Sequence, residues 1–256
     1  MTLDTDNSSS IFEEKIIDSF SKYAQSYDRY AILQRSMAER LASYLPETTP
    51  PHIIELGCGT GLFTRHLLTL PIKNLILNDI SSAMIDILKD HLDLPGYTKF
   101  LIGNAEIISM EKTDLICANA VFQWFQKPQS SLIHLKKSLN NKGTILFSTF
   151  GTETLKEFRQ AANMNSPITL YSLNQWKKFI KKTGFTLKLF DCEKRKIFTP
   201  NTMNLIKNLQ QIGAAPIQIF DVGGLRKLIR YYDKHFATKQ GVYATWELYY
   251  FSINLE

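Results

Sequence analysis

Hydrophobic positions along the chain follow two alternating rhythms. Short apolar-rich runs at 53–56, 74–78, 98–102, 114–118 and 144–150 read as buried strands. Between them, apolar residues three and four apart, from Leu62 on, over 82–92 and over 130–139, read as helices. Strand and helix in strict alternation predict a parallel sheet wrapped by right-handed crossovers. Ahead of the first strand, a polar and disordered-looking stretch of ten residues leads into a helix over 11–27, with Ile16, Phe20, Tyr23 and Tyr27 at helical spacing. A second helix over 36–45 is closed by Pro46. Beyond Phe150 a Thr-x-x-Glu pattern at 154–157 predicts a short helix away from the sheet, followed by a helix over 173–183 and a strand over 185–190. A helical insertion over 199–240 carries Leu205, Leu209, the turn Gly213-Ala214-Ala215-Pro216 and a helix over 225–236. An alternating, aromatic run over 242–253 reads as the last strand.

The first strand ends in three glycines, Gly57, Gly59 and Gly61, directly before a helix start. Glycines permit positive φ and close ligand approach, and a helix N-terminus offers unpaired N–H groups, so the turn suits a nucleotide-like cofactor. The spacing is not the Gly-x-Gly-x-x-Gly of dinucleotide folds. Glu55, two residues before the first glycine, would repel a pyrophosphate and welcome a cationic amino-acid group. Asp79 ends the second strand, where ribose hydroxyls would lie. Together these residues resemble the S-adenosylmethionine pocket of class I methyltransferases; a tight turn in an unrelated α/β protein is the alternative. The resemblance implies a Rossmann-like fold in one domain over 1–256: a mostly parallel seven-stranded sheet with an antiparallel last strand. It further implies a cofactor-binding core over 52–150, an N-terminal helical lid over 10–46 and a helical cap over 199–240. Adenine is expected at Asn104 and Ala105, although class I enzymes often carry Asp at the first of these. Tyr23, Gln34, Met84 and Asn119 complete the expected cofactor set.

Composition narrows the class. The 256 residues are 44% hydrophobic, enough for one substantial domain, and no apolar run is long enough to span a bilayer, so a cytoplasmic protein without membrane contact is expected. Three widely spaced cysteines suggest neither a disulfide framework nor a metal site, and none is expected. The net charge of +6 is unevenly spread: 14 basic residues face 16 acidic ones up to Thr152, and 16 face 8 from Glu153 on. A basic half suits nucleic acid, an anionic membrane or an acidic protein, and is often only a solvated surface. No basic stripe interleaved with aromatics supports nucleic acid. The chain also lacks the Asn-Pro-Pro-aromatic signature of amino methylation.

A narrower resemblance rests on other segments. Tyr27-Asp28-Arg29-Tyr30-Ala31-Ile32-Leu33-Gln34-Arg35 precedes the first strand, and Asn119-Ala120-Val121-Phe122-Gln123-Trp124 follows the fourth. After the fifth comes Phe147-Ser148-Thr149-Phe150-Gly151-Thr152-Glu153-Thr154-Leu155-Lys156-Glu157, and the insertion holds Leu209-Gln210-Gln211-Ile212-Gly213-Ala214. Over nearly its whole length the chain resembles the malonyl-[acyl-carrier-protein] O-methyltransferases of biotin synthesis, the BioC family, with Glu55 where many relatives have Asp. The resemblance implies methyl transfer from S-adenosylmethionine, leaving S-adenosylhomocysteine, to the free carboxylate of malonyl on acyl carrier protein or coenzyme A. Tyr27, Gln123 and Trp124 are then expected to position the substrate, with Tyr23 closing the lid. The acidic carrier is expected to dock on Arg226, Lys227, Arg230 and Lys234, which share a helix face; Lys177, Lys178, Lys181 and Lys182 compete for that role. A monomer is expected. Alternatives are a methyltransferase for another small carboxylate and a non-catalytic cofactor-binding assembly factor.

Overall fold

A computed structural model describes residues 4–163, 168–213 and 221–255. Strands β1 (His52–Leu56), β2 (Asn74–Asp79), β3 (Thr98–Ile102), β4 (Thr113–Ala118) and β5 (Leu139–Phe150) pair in parallel in the order β3-β2-β1-β4-β5. The sheet continues through β8 (Gly241–Asn254) to β6 (Thr186–Thr199), and β8 runs antiparallel to both of its neighbours. This is the expected seven-strand path; a two-residue strand, β7 (Ala237–Thr238), adds a short pairing to β8. Strand order reverses between β1 and β4, and the crevice beyond the carboxyl ends at that point is where open α/β sheets bind ligands.

Alternate residues of each inner strand enter different apolar layers, so both faces are covered and the strands read as near-continuous hydrophobic runs. Ile53, Leu75 and Cys117 pack with Met37 and Leu41 of α3 (Ile32–Ala42) and Leu88 of α5 (Ser82–His91). The same layer takes Leu209 of α9 (Thr202–Gln211) and Tyr232 of α10 (Val222–Phe236). Ile54, Ile116 and Phe147 pack on the other side with Leu132 of α6 (Pro128–Lys136) and Trp176 of α8 (Leu173–Lys182).

Several expectations need correction. Residues 4–10 belong to a helix, α1 (Asp4–Tyr23), rather than to a disordered lead. That helix stops at Tyr23, a 3₁₀ turn follows (Ala24–Ser26), and Tyr27 opens a new one-turn helix, α2 (Tyr27–Tyr30), so Tyr23 and Tyr27 do not share a continuous helical face. Burial of Ala24 against Met84 and Ile87, with the Ser26 hydroxyl donating to Gln211 Oε1 at 2.6 Å, fixes the break. The helix after the glycines is a single turn, α4 (Thr64–Leu67). Strand β6 extends far past Phe190 as the sheet edge, and its charged positions Glu193, Lys194 and Lys196 concealed it; charged edges also discourage strand addition.

The Thr154–Glu157 capping box does not form. Helix α7 (Lys156–Ala162) starts from Leu155 at φ +54°, while the Thr154 hydroxyl donates to the Glu247 carbonyl. The Glu157 carboxylate accepts from the Thr245 amide at 2.9 Å and from its hydroxyl at 2.5 Å. Helix α7 is therefore fastened to β8 rather than held away from the sheet. Positions 214–216 of the expected turn lie outside the described residues.

Candidate active site

An open cleft of about 800 Å³ lies over the carboxyl ends of β1, β2 and β4. Its floor is the glycine loop. Gly57 (φ +58°) lies so close to the segment after β4 that a Cβ would stand 2.4 Å from a methyl of Val121. Gly59 (φ +53°) faces open space and donates its amide to Asp79 Oδ2 at 2.8 Å. Gly61 packs on Leu88 and Leu92 instead and takes no part in the lining, so its expected contact with cofactor becomes a contact with α5.

Asp79, Met84, Asn104, Ala105 and Asn119 all line the cleft. Asp79 Oδ1 accepts the Ser81 amide at 2.9 Å. Burial raises the Asp79 pKa, and the backbone donors around it oppose that rise. Helix α1 supplies the roof through Phe12, Glu13, Ile16 and Phe20, joined by Tyr27. The Phe20 ring meets Trp124 edge-on at 5.5 Å and Tyr27 at 6.2 Å. Burial, with the nearby charges of Asp79 and Asp28, holds the Tyr27 phenol well above its ordinary pKa, so it stays a hydrogen-bond donor.

Beneath Tyr27, Gly57 and Gly59 a smaller chamber of about 290 Å³ is lined by Gln34 and Glu55. Glu55 is buried and accepts from the Thr64 hydroxyl at 2.7 Å. Burial, with the charge of Asp79 adding, pushes its pKa up to about 8 against the opposing Thr64 bond. Gln34 Oε1 is buried and has no hydrogen-bond partner among the described residues. A carboxyl and an orphaned amide oxygen, on two residues that line one chamber, fit a ligand ammonium group, because a buried acceptor left unpaired costs about 1–3 kcal/mol. These acceptors therefore fit the methionyl ammonium of S-adenosylmethionine at Glu55 and Gln34, and its ribose hydroxyls at Asp79.

The segment after β4 is held by a clamp. Ser148 Oγ accepts the Ala120 amide at 2.9 Å and donates to Asn119 Oδ1 at 2.8 Å, while Asn119 Nδ2 donates to the Gln34 carbonyl at 3.0 Å. Ala120 sits at φ +55°, a strained conformation that surrounding contacts must enforce.

Two expected residues lie elsewhere. Gln123 is buried away from the cleft; its amide donates to the Ala120 carbonyl at 2.5 Å and accepts from Thr149 at 3.4 Å. Tyr23 lies outside the lining, with the Lys22 ammonium 5.4 Å from its ring centre. Sequence reasoning missed Glu13 and Phe20 as lining residues, although the helical spacing of Phe20 was visible.

Arg226, Lys227, Arg230 and Lys234 are exposed on α10, opposite buried Leu228 and Tyr232, and form no ion pair among the described residues. Lys177, Lys178, Lys181 and Lys182 are exposed on α8, in the other apolar layer. Among the described residues no helix is long and apolar enough to cross a membrane, and no cluster of three metal-binding side chains forms.

Residues 27–188 match a family model described as a methyltransferase domain. A malonyl-[acyl-carrier protein] O-methyltransferase of Paenibacillus sp. (strain JDR-2) is 31% identical over 88% of this chain and 92% of its own length. The chain belongs to the malonyl-[acyl-carrier protein] O-methyltransferase family. A second member of that family, from Ilyobacter polytropus, is 38% identical over 64% of either chain. Among solved structures, the YcgJ protein of Bacillus subtilis superposes with a TM-score of 0.65 at 11% identity, covering 86% of this chain and 98% of that one. An S-adenosylmethionine-dependent methyltransferase from Mesorhizobium loti gives 0.55 at 12% identity, covering 84% and 96%. The fold is the class I methyltransferase fold, and the protein is an S-adenosylmethionine-dependent methyltransferase, as family membership requires.

Proposed function

We propose that the chain methylates the free carboxylate of malonyl carried on acyl carrier protein, forming the methyl ester that opens pimeloyl synthesis for biotin. The observation that carries this reading is the pairing of a cation-accepting inner chamber at Glu55 and Gln34 with an aromatic-roofed cleft, in a chain whose relatives are named for that reaction. Bound S-adenosylmethionine supplies an electrophilic methyl group on a sulfonium centre. The site needs no general base, since a carboxylic acid with a pKa of about 4 is ionised at neutral pH. The task of the protein is orientation, which contributes as much as ~7–11 kcal/mol when reacting groups are held in place.

Tyr27 donates a hydrogen bond from a phenol that stays protonated, and Trp124 with Phe20 excludes water from the outer cleft. Gln123 acts through the Ala120 carbonyl, as a positioning residue for the segment after β4. Residues 10–46 serve as the lid and 199–240 as the cap. Helix α10 receives the acidic carrier on Arg226, Lys227, Arg230 and Lys234. It belongs to the same apolar layer as α9, whose Gln211 is bonded to the turn beside Tyr27, whereas the α8 lysines belong to the other. The protein works in the cytoplasm as a monomer.

Incubation with labelled S-adenosylmethionine and malonyl-carrier protein, malonyl-coenzyme A or free diacids tests the reading. The expected product is the methyl ester of the carrier-bound malonyl group, detected by mass. Faster turnover of a free diacid than of carrier-bound malonate would refute the carrier assignment.

A further inference from the structure

At the adenine end of the cleft the usual acceptor is already engaged. Asn104 Oδ1 accepts the Glu106 amide at 2.9 Å, and Asn104 Nδ2 donates to Glu13 Oε2 on α1 at 2.8 Å. Chemistry fixes this orientation: the flipped amide would set an NH₂ against an N–H and an oxygen against a carboxylate. Glu106 is also occupied, since its carboxylate accepts from the Gln126 amide, the Lys127 amide and the Ser131 hydroxyl at 3.0, 3.2 and 2.5 Å. The Ala105 amide, by contrast, donates to no group among the described residues. Adenine presents a donor, its exocyclic 6-amino group, beside an acceptor, N1. The Ala105 N–H suits N1, and the amino group then needs an oxygen; the Glu106 carboxylate already holds three donors, whereas the Glu13 carboxylate holds one, the Asn104 amide.

We propose that Glu13 supplies it: the carboxylate that α1 brings into the cleft, oriented by Asn104 Nδ2, accepts the adenine 6-amino group. A carboxylate has about four acceptor sites on two oxygens, so it can hold Asn104 and the amino group together. Glu13 lines the same cleft as Asn104 and Ala105. The base is thereby read from two sides, by the loop after β3 and by the N-terminal helix, and an Asn at 104 is matched by a Glu at 13. The inference rests on the cofactor reading above and adds a specificity-determining residue to it.

The test is a binding cycle by calorimetry, using S-adenosylhomocysteine and its analogue lacking the 6-amino group, on the wild-type chain, Glu13→Ala and Glu13→Gln. Loss of the amino group should weaken binding to wild type by roughly 10- to 100-fold, the range for hydrogen bonds to charged groups. Glu13→Ala should bind S-adenosylhomocysteine weaker by a similar factor and should barely distinguish the two ligands. Glu13→Gln keeps a carbonyl acceptor and should retain part of the discrimination. If circular dichroism shows Glu13→Ala unfolded, Glu13→Met, of similar shape and without an acceptor, takes its place. Undiminished discrimination in the variant without an acceptor would overturn the assignment of Glu13 alone. Failure of the wild-type chain to bind S-adenosylhomocysteine would overturn the cofactor reading and this assignment with it.

Discussion

Replacing Glu55 by glutamine removes an ionisable group from the inner chamber at nearly constant shape. In the ligand-free protein the Glu55 carboxyl has a pKa pushed from 4.5 to about 8 by burial and the charge of Asp79. At neutral pH it is therefore mostly protonated, and a ligand ammonium must displace that proton, because an opposite charge favours the ionised form. Binding of S-adenosylhomocysteine should release about one proton per site near pH 7 and weaken close to tenfold per unit as pH falls from about 8 toward 6.

Stability of the ligand-free protein follows with a definite sign. At Glu55 the folded state binds more protons than the unfolded one between about 4.5 and 8, so this group's contribution to stability falls across that window and is level on either side. The full drop is roughly 5 kcal/mol. Glu55→Gln should abolish it and melt above wild type at pH 8. Calorimetry in buffers of different ionisation enthalpy counts the protons, and melting temperatures against pH follow the stability. Proton-neutral binding by wild type, or the same proton release in Glu55→Gln, would refute the reasoning.

Three further outcomes are expected. Gly57→Ala forces a Cβ within 2.4 Å of Val121 at φ +58° and should cost about 1–3 kcal/mol of stability, with weaker cofactor binding, measured by thermal melting and calorimetry. Ser148→Ala strips partners from the Ala120 amide and Asn119 Oδ1 and should cost about 2–4 kcal/mol by denaturant unfolding. Arg226→Glu with Arg230→Glu should raise KM for malonyl-carrier protein severalfold, with malonyl-coenzyme A unaffected; an equal loss on both substrates counts against docking on α10.

The inner strands were legible because both of their faces are buried and their residues are apolar throughout, which leaves little choice of structure. Strand β6 was legible only as far as Phe190, since an edge strand needs apolar residues on one face at most. Glu55 and Asp79 stood out because a carboxylate in or at the end of an apolar run is expensive without a purpose. Tyr23 was misplaced for a reason no local pattern carries: the helix breaks where Ser26 reaches Gln211, 185 residues away along the chain. Gln123 was misdirected likewise, since its partners at Ala120 and Thr149 depend on the register between β4 and β5.

The contact between Gly57 and Val121 constrains how such an enzyme can change. One belongs to the loop that cradles the cofactor, the other to the segment that leads into Trp124, and the space a side chain at 57 would need is filled by the side chain at 121. Variation at the substrate end is thus tethered to the loop that holds the cofactor. A library aimed at new acceptors can vary Trp124, but position 121 admits only residues that leave the glycine loop where it is.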